Sequence, residues 1–292
     1  MKTLQLSFIS FLLTCSLWAQ KTTHHNSFDV TVEGKGETLF LLPGLSCSAN
    51  VWKETINKFK DTYEIHTFTL AGYGGVPPVT EDNILATIKK DLIKYITKHR
   101  SKNSILMGHS IGGFMSLLLA IDNETIVSKI IVVDALPFLA GLNNPSITEE
   151  TVKSSYTSMK DSYLNMNDEA LKQNLQNVLT RMIRDTTKID DVLKDAIKSD
   201  RRTLGITAFE MMSNDIRIAI AAIKIPTLVM TNWNKIHPQF PNFTKDTKLS
   251  LYKQQYKNCS SCTVEMIEKA EHFIMLDNPE TFYTSATNFI SK

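Results

Sequence analysis

The sequence has almost no excess of charge of either sign. Its 292 residues include 32 Lys and Arg against 30 Asp and Glu, a formal charge of +2 at pH 7. Binding to nucleic-acid phosphates needs clustered basic residues, and here basic and acidic residues are interleaved, so we expect no nucleic-acid partner. With 42% hydrophobic residues and no internal repeat or low-complexity tract, the chain is also not disordered, collagen-like or a coiled coil.

Motifs that hold metals, nucleotides or paired acids are missing as well. The sequence contains no Gly-rich phosphate loop, no cluster of metal-ligand residues and no paired acidic site. We therefore expect neither a cofactor nor a bound metal.

Long hydrophobic runs are absent, and one short apolar run lies at the N terminus. Lys2 supplies a positive charge, Leu6–Leu13 is apolar, and a polar-to-small stretch precedes Lys21. This pattern is typical of a secretory signal peptide, which we place at residues 1–20. No later stretch holds 18 consecutive apolar residues, so we expect no membrane span in the mature chain and a secreted or periplasmic location.

Cysteine is scarce, with four residues in the chain. Cys15 follows the N-terminal apolar run, which leaves lipoprotein anchoring open, although Thr14 fits that motif poorly. Export permits disulfides, and Cys259 and Cys262 are the one closely spaced pair. A local disulfide, a redox pair and a zinc half-site are the alternatives there.

Short runs rich in β-branched residues alternate with helical patterns along most of the chain. The predicted strands are 28–32, 38–42, 64–70, 104–107, 129–134, 226–231 and 262–267, and the predicted helices include 52–59, 83–99 and 111–121. Such alternation predicts an α/β fold with a mostly parallel sheet flanked by helices. The first two predicted strands are too close for a crossover helix, so we expect them to pair antiparallel at one edge.

Strand signals stop between Leu136 and Ala219, where apolar residues recur at helical spacing. We interpret residues 136–219 as an inserted helical lid, and residues 21–135 and 220–292 as the core.

The residues Gly108-His109-Ser110-Ile111-Gly112 follow a predicted strand and precede an apolar helix. A G-x-S-x-G sequence at a sharp strand-to-helix turn exposes the serine hydroxyl at the edge of the sheet. Ser110 is thus the predicted nucleophile. The Ile111 N–H at the helix N terminus is the predicted donor to a developing oxyanion.

Three further stretches complete a resemblance to the α/β-hydrolase superfamily, in particular its lid-bearing serine esterases. They are Thr38–Leu45 with Trp52, Leu70–Gly74, and Ala270–Glu280. The resemblance covers about residues 28–292 and is weakest across residues 136–219. It implies that His272 is the general base and that the Leu45 N–H is the second oxyanion donor, although Pro43 stands where the family usually has His.

The acid of the triad departs from the family pattern. Most members place an Asp after the next-to-last strand, but here Met230 is followed by Thr-Asn-Trp-Asn-Lys. Asp134, which ends the strand after the nucleophile's, is the best candidate and keeps the order Ser, Asp, His. The alternatives are Asn232 or Asn234 as an uncharged orienting group, with Asp246 and Glu271 as remaining carboxylates.

These residues favour a serine hydrolase that acts on a small or medium-sized, largely apolar acyl compound. Ester cleavage is the first choice. It remains a choice because the fold does not determine the function, and the same triad in this superfamily also cleaves amides and carbon–carbon bonds. Two other functions remain open. One is a hydrolase-shaped ligand-binding protein with little turnover, suggested by the missing acid. The other is an exopeptidase in which Asp161, Asp168 or Glu169 anchors a substrate amine.

Overall fold

A computed structural model describes residues 21–142, 144, 146–235 and 243–292 of the chain. The predicted signal peptide and Cys15 lie outside these residues. Within them, no helix is both long enough and apolar enough to cross a membrane.

Eight strands form one sheet through the middle of the described chain, in the order β1-β2-β4-β3-β5-β6-β7-β8. Strands β3 to β8 are parallel to one another, whereas β2 is antiparallel to both β1 and β4. The strands are β1 (Lys21–His24), β2 (Phe28–Gly34), β3 (Glu37–Leu42), β4 (Tyr63–Leu70), β5 (Ile105–His109), β6 (Lys129–Val133), β7 (Thr227–Trp233) and β8 (Cys262–Glu268). The predicted α/β-hydrolase fold, with a mostly parallel sheet, is confirmed.

The expected pairing of the first two predicted strands is wrong. Strand β2 is antiparallel and near the edge, but β4 lies between it and β3. Residues of β3 from Thr38 to Leu42 are buried on both faces, which suits an interior position, whereas β2 keeps partly exposed side chains. The sequence also gave no expectation for β1, which adds the outermost antiparallel strand.

Helices connect the strands and flank the sheet. They are α1 (Lys53–Phe59), α2 (Ile84–His99), α3 (Ile111–Asp122), α4 (Glu149–Leu164), α5 (Asp168–Met182), α6 (Ile189–Ala196), α7 (Arg201–Ser213), α8 (Lys245–Gln255), α9 (Ile274–Asp277) and α10 (Pro279–Ile290). Helix α3 is buried on nearly every side, in agreement with its apolar sequence.

Helices α4 to α7 all lie between β6 and β7, and we call residues 139–222 the helical segment. Its division from the core at residues 136 and 219 stays a prediction. Helix α7 is fastened to the loop after β4: the Asp200 N–H donates to the Gly72 carbonyl at 2.8 Å, and the Tyr73 hydroxyl contacts Thr207 Oγ1 at 2.6 Å. The α7 end of the segment is therefore tied to the core.

Cys259 forms a disulfide with Cys262, the first residue of β8. Cys47 is the free cysteine of the described residues and is buried. Burial raises the pKa of its thiol to about 12, which leaves almost no reactive thiolate at neutral pH.

Candidate active site

Ser110 stands between β5 and α3 in a strained backbone conformation. Its φ of 53° and ψ of −121° lie outside the regions that non-glycine residues favour. The strain is held by bonds on both sides: the Ser110 N–H donates to Val133 O, and the Phe114 N–H donates to Ser110 O, both at 2.9 Å. Backbone strain of this kind persists where surrounding structure fixes it, and it is concentrated at functional sites.

Two glycines make this turn possible. A Cβ on Gly108 would lie 2.2 Å from the Gly112 carbonyl oxygen, and one on Gly112 would lie 2.5 Å from the Leu42 carbonyl oxygen. Any side chain at either position would push β5, α3 and β3 apart. The presence of glycine at both ends of the G-x-S-x-G sequence therefore has a direct steric cause.

His272 and Asp134 come together although 138 residues separate them. His272 Nδ1 lies 2.6 Å from Asp134 Oδ2. Asp134 follows β6 directly and has a left-handed backbone, with φ of 46°, which Asp tolerates better than most residues. Its N–H donates to Met230 O at 2.8 Å, so the carboxylate is held at the ends of the neighbouring strands β6 and β7. The contact fixes the tautomer of His272 with the proton on Nδ1 and leaves Nε2 free to accept a proton.

Three further side chains surround the Asp134 carboxylate. The Tyr252 hydroxyl donates to Oδ1 at 2.7 Å, and the Thr231 hydroxyl lies 3.3 Å from the same oxygen. Burial opposes ionisation of Asp134, but the Lys248 charge and the hydrogen bonds from His272 and Tyr252 outweigh it. The pKa of the carboxyl is consequently held well below its usual range, and Asp134 is an anion at neutral pH.

The alternative candidates for the partner of His272, two asparagines and two carboxylates, have other contacts. Asn232 Nδ2 donates to Ala270 O at 3.3 Å, and its Oδ1 accepts from Lys248. Asn234 Nδ2 donates to Glu271 Oε1 at 2.8 Å, so these two side chains bond each other rather than His272. Asp246 is exposed in the first turn of α8. Among the described carboxylates, Asp134 is the partner of His272.

Leu45 and Ile111 are the two predicted oxyanion donors: Leu45 lines the same cavity as Ser110, and Ile111 follows Ser110 directly. Leu45 lies in a turn closed by the Cys47 N–H and Gly44 O at 3.1 Å, and Ile111 is the first residue of α3. Within the described parts of the chain, neither N–H donates to a protein acceptor. Both are available to a ligand, as an oxyanion site requires.

His109 is a buried imidazole that braces His272. Its Nε2 donates to the His272 carbonyl at 3.0 Å, and the two rings lie 4.6 Å apart. Burial, together with the neighbouring His272, lowers the pKa of His109 to about 3, so it is neutral at the pH of the reaction. The sequence predicted that His109 lies in the turn, but it did not predict the hydrogen bond to the His272 carbonyl.

A cavity of about 270 Å³ lies between these residues and the helical segment. At roughly 30 Å³ for each water-sized group, it holds on the order of nine such groups, which suits a small or medium-sized ligand. Gly44, Ser46, Ser110, Asp134 and His272 line its floor. The part of the lining that the helical segment supplies, which we call the wall, is mostly apolar and consists of Leu139, Leu142, Tyr163, Leu175, Val178, Leu179, Met182 and Met211.

Sequence reasoning missed Tyr252 and Lys248, which favour the ionised form of Asp134. Tyr252 and Lys248 are four residues apart on α8, and that i,i+4 spacing would have placed them on one face. What α8 faces could not be read from the spacing. Metal-binding clusters of three or more His, Cys, Asp or Glu residues are absent from the residues that the structure describes.

Comparison with known proteins identifies the family of the chain. A family model described as the alpha/beta hydrolase family matches residues 39–284. Among curated proteins, the pimeloyl-[acyl-carrier protein] methyl ester esterase of Aliivibrio fischeri is 21% identical over 265 residues, covering 89% of this chain and 96% of its own.

Other relatives match over a shorter stretch. The enzyme of the same name from Vibrio cholerae is 25% identical over 126 residues, which cover 43% of this chain and 48% of the relative. The first curated relatives are thus matched over half of their length or less.

Solved structures share the fold. A hydrolase from Pseudomonas aeruginosa PA01 superposes with a TM-score of 0.75 at 14% identity, covering 94% of this chain and all (100%) of the other. An esterase from Exiguobacterium antarcticum gives a TM-score of 0.74 at 17% identity, covering 91% of this chain and 98% of the other.

Proposed function

The chain belongs to the alpha/beta hydrolase family, and from this we propose that it is a serine hydrolase that cleaves a carboxylic ester with a small or medium-sized apolar acyl group. The observation that carries the proposal is the 2.6 Å contact between His272 and Asp134 in a cavity that Ser110 also lines. Relatives named as esterases support the choice of an ester bond.

The proposed reaction has two stages. Ser110 Oγ attacks the ester carbonyl while His272 Nε2 takes its proton, and the Leu45 and Ile111 N–H groups stabilise the oxyanion. His272 then protonates the leaving alcohol, and an acyl-enzyme remains. Water, activated by the same imidazole, releases the carboxylic acid and restores Ser110. Asp134 orients His272 and stabilises the imidazolium that forms in each stage.

Two features of the site weigh against the other candidate functions. The ligand-binding reading rested on the missing acid after β7, and Asp134 supplies a carboxylate from β6 instead. The exopeptidase reading needed an acid facing the substrate, but Asp161, Asp168 and Glu169 do not line the cavity. Asp168 is exposed and pairs with Arg201.

Export to the periplasm or the cell exterior is part of the proposal. It rests on the sequence of residues 1–20, and the disulfide between Cys259 and Cys262 suits an oxidising compartment.

Covalent labelling tests the proposal. Purified mature protein is treated with a small alkyl fluorophosphonate, and its intact mass is followed over time. Wild type should gain one phosphonyl group and Ser110→Ala none, and wild type should also hydrolyse 4-nitrophenyl butyrate. Ser116→Ala is the matched control, because Ser116 is a buried serine of α3 whose hydroxyl donates to Gly112 O. No labelling of folded wild type would contradict the proposal.

A further inference from the structure

Asp277 binds two segments that are far apart in sequence. Its side chain is 7% exposed, and it accepts hydrogen bonds from three backbone N–H groups. Arg184 N and Asp185 N each lie 2.9 Å from Oδ1, and Glu271 N lies 2.8 Å from Oδ2. Hydrogen bonds to an ionised acceptor are about twice as strong as neutral ones, so this carboxylate is a firm junction.

One side of the junction is the loop that carries His272. Glu271, held by Asp277, immediately precedes His272. The next residue, Phe273, donates its N–H to Met182 O at 3.2 Å. The backbone is therefore held on both sides of His272: Asp277 binds it at Glu271, and the end of α5 binds it at Phe273.

The other side is the wall of the cavity. Residues 183–185 follow the end of α5, and Leu175, Val178, Leu179 and Met182 of that helix line the same cavity as Ser110. An acyl chain in the cavity would thus contact α5, and the end of α5 binds the loop that carries His272.

We propose that Asp277 is a positioning residue that couples acyl-chain contact on α5 to the placement of His272. The coupling rests on the proposed function. It turns binding energy from the non-reacting part of the substrate into a faster chemical step. Esters too short to touch α5 are cleaved at a basal kcat, and longer acyl chains raise kcat through this junction.

Asp277→Asn tests the coupling. The amide keeps the size of the side chain, but it loses the charge and cannot accept from all three N–H groups. We compare kcat and KM for 4-nitrophenyl acetate and octanoate, with the full mature protein. Allosteric couplings are commonly 5- to 150-fold, so the kcat for octanoate should fall about tenfold. The kcat for acetate should fall less, by about threefold at most, and the KM for octanoate should change by less than about twofold.

Glu280→Gln is the matched control, because it removes an exposed carboxylate three residues away on α10. It should leave all four constants unchanged. An equal fall in kcat for both esters would assign Asp277 a general structural role and overturn the coupling. A change in KM alone would overturn it too.

Met182→Ala gives a second test if Asp277→Asn does not fold. It removes a cavity contact at the end of α5 and leaves the three bonds to Asp277 in place. The coupling predicts that kcat for octanoate falls toward the acetate value, and a rise in KM alone overturns it. Fluorophosphonate labelling separates the two proposals: unlabelled wild type contradicts the serine hydrolase, whereas normal labelling with unchanged kcat in both variants contradicts only the coupling.

Discussion

At the scale of single residues, the site differs from its family pattern in where the acid is attached. A carboxylate at the end of β6 reaches the same imidazole as one after β7 would, because the ends of neighbouring parallel strands meet at one edge of the sheet. Near the end of β7 the chain has Asn232, which binds Lys248 and not His272. Lys248 in turn favours the ionised form of Asp134.

Asp134→Asn should slow the reaction strongly and leave the fold intact. The amide can hold His272 in the wrong tautomer and cannot stabilise the imidazolium, an effect that reaches about 10⁴-fold in a well-studied serine protease. We expect fluorophosphonate labelling to slow by on the order of 10³-fold at pH 7.5. The rate is measured by intact mass, with Asp246→Asn on α8 as the exposed control. A labelling rate within about threefold of wild type would mean that Asp134 is not the triad acid.

Tyr252→Phe should have a smaller effect of the same kind. It removes the hydroxyl that donates to Asp134 Oδ1, and hydrogen bonds to charged groups contribute about 1.5–3 kcal/mol. We expect a loss of about 2 kcal/mol in the free energy of unfolding and a several-fold lower kcat/KM. Tyr256→Phe is the matched control, because that buried hydroxyl donates at 2.8 Å to the neutral Ala135 carbonyl. Equal losses of kcat/KM in both variants would show that the Asp134 bond has no special role in catalysis.

Ser110 was predicted from its local pattern of strand, turn and helix, whereas His272 and Asp134 were predicted from the resemblance to the family. The sequence could not predict Tyr252, Lys248 or Asp277, since their contacts depend on how α8 and the end of α5 pack on the sheet. His109 lies between these cases: its place in the turn was evident, but its bond to the His272 carbonyl joins segments 163 residues apart.

At the scale of elements, alternating patterns predicted the seven strands β2 to β8 but not the full order of these strands in the sheet. Short connections usually join adjacent strands, yet β4 separates β2 from β3. The full burial of β3 is the physical reason. Strand β1 was not predicted, because its four residues, Lys21–His24, are polar and carry no apolar pattern. It is a strand because its backbone pairs with β2.

Glu210 joins two elements in a way that depends on pH. Its Oε2 on α7 accepts the Leu85 N–H of α2 at 3.0 Å, and burial raises its pKa from 4.5 to about 7. Between these values the folded state holds a proton that the unfolded state has lost, so stability falls as pH rises through this window.

Glu210→Gln should abolish that loss, because the amide oxygen still accepts the bond and does not ionise. The Tm of the variant minus that of wild type should be near zero at pH 4.5 and increasingly positive up to pH 8. The measurement is thermal unfolding across this range, with exposed Glu81→Gln as the control. A difference that does not change with pH would contradict the assignment.

At the scale of the whole molecule, the catalytic residues and the apolar wall come from different parts of the chain. Strand ends and the loop before α9 supply the polar floor, and the helical segment supplies the wall. In the proposed reaction the wall sets which acyl group fits, while Ser110 and His272 set which bond breaks. A substrate of the proposed reaction must therefore meet two requirements: its acyl group fits the wall, and its ester bond lies at Ser110.

Export and the disulfide should be observed together. Cytosolic thiols are kept reduced, whereas the bacterial periplasm is oxidising, so the redox state of Cys259 and Cys262 reports where the chain folded. The full-length chain is produced in a Gram-negative host, and a version starting at Lys21 is produced in the cytoplasm. The exported protein should lose the mass of about residues 1–20 and, after denaturation, bind alkylating reagent at Cys47 alone.

The cytoplasmic version should bind the reagent at three cysteines, since Cys47, Cys259 and Cys262 are all reduced there. It should still be labelled at Ser110, because a disulfide that closes so short a loop contributes only about 2 kcal/mol to stability. A full-length chain that stays in the cytosol with residues 1–20 attached would contradict export. A product that begins at Cys15 and carries the mass of a lipid would replace secretion with membrane anchoring.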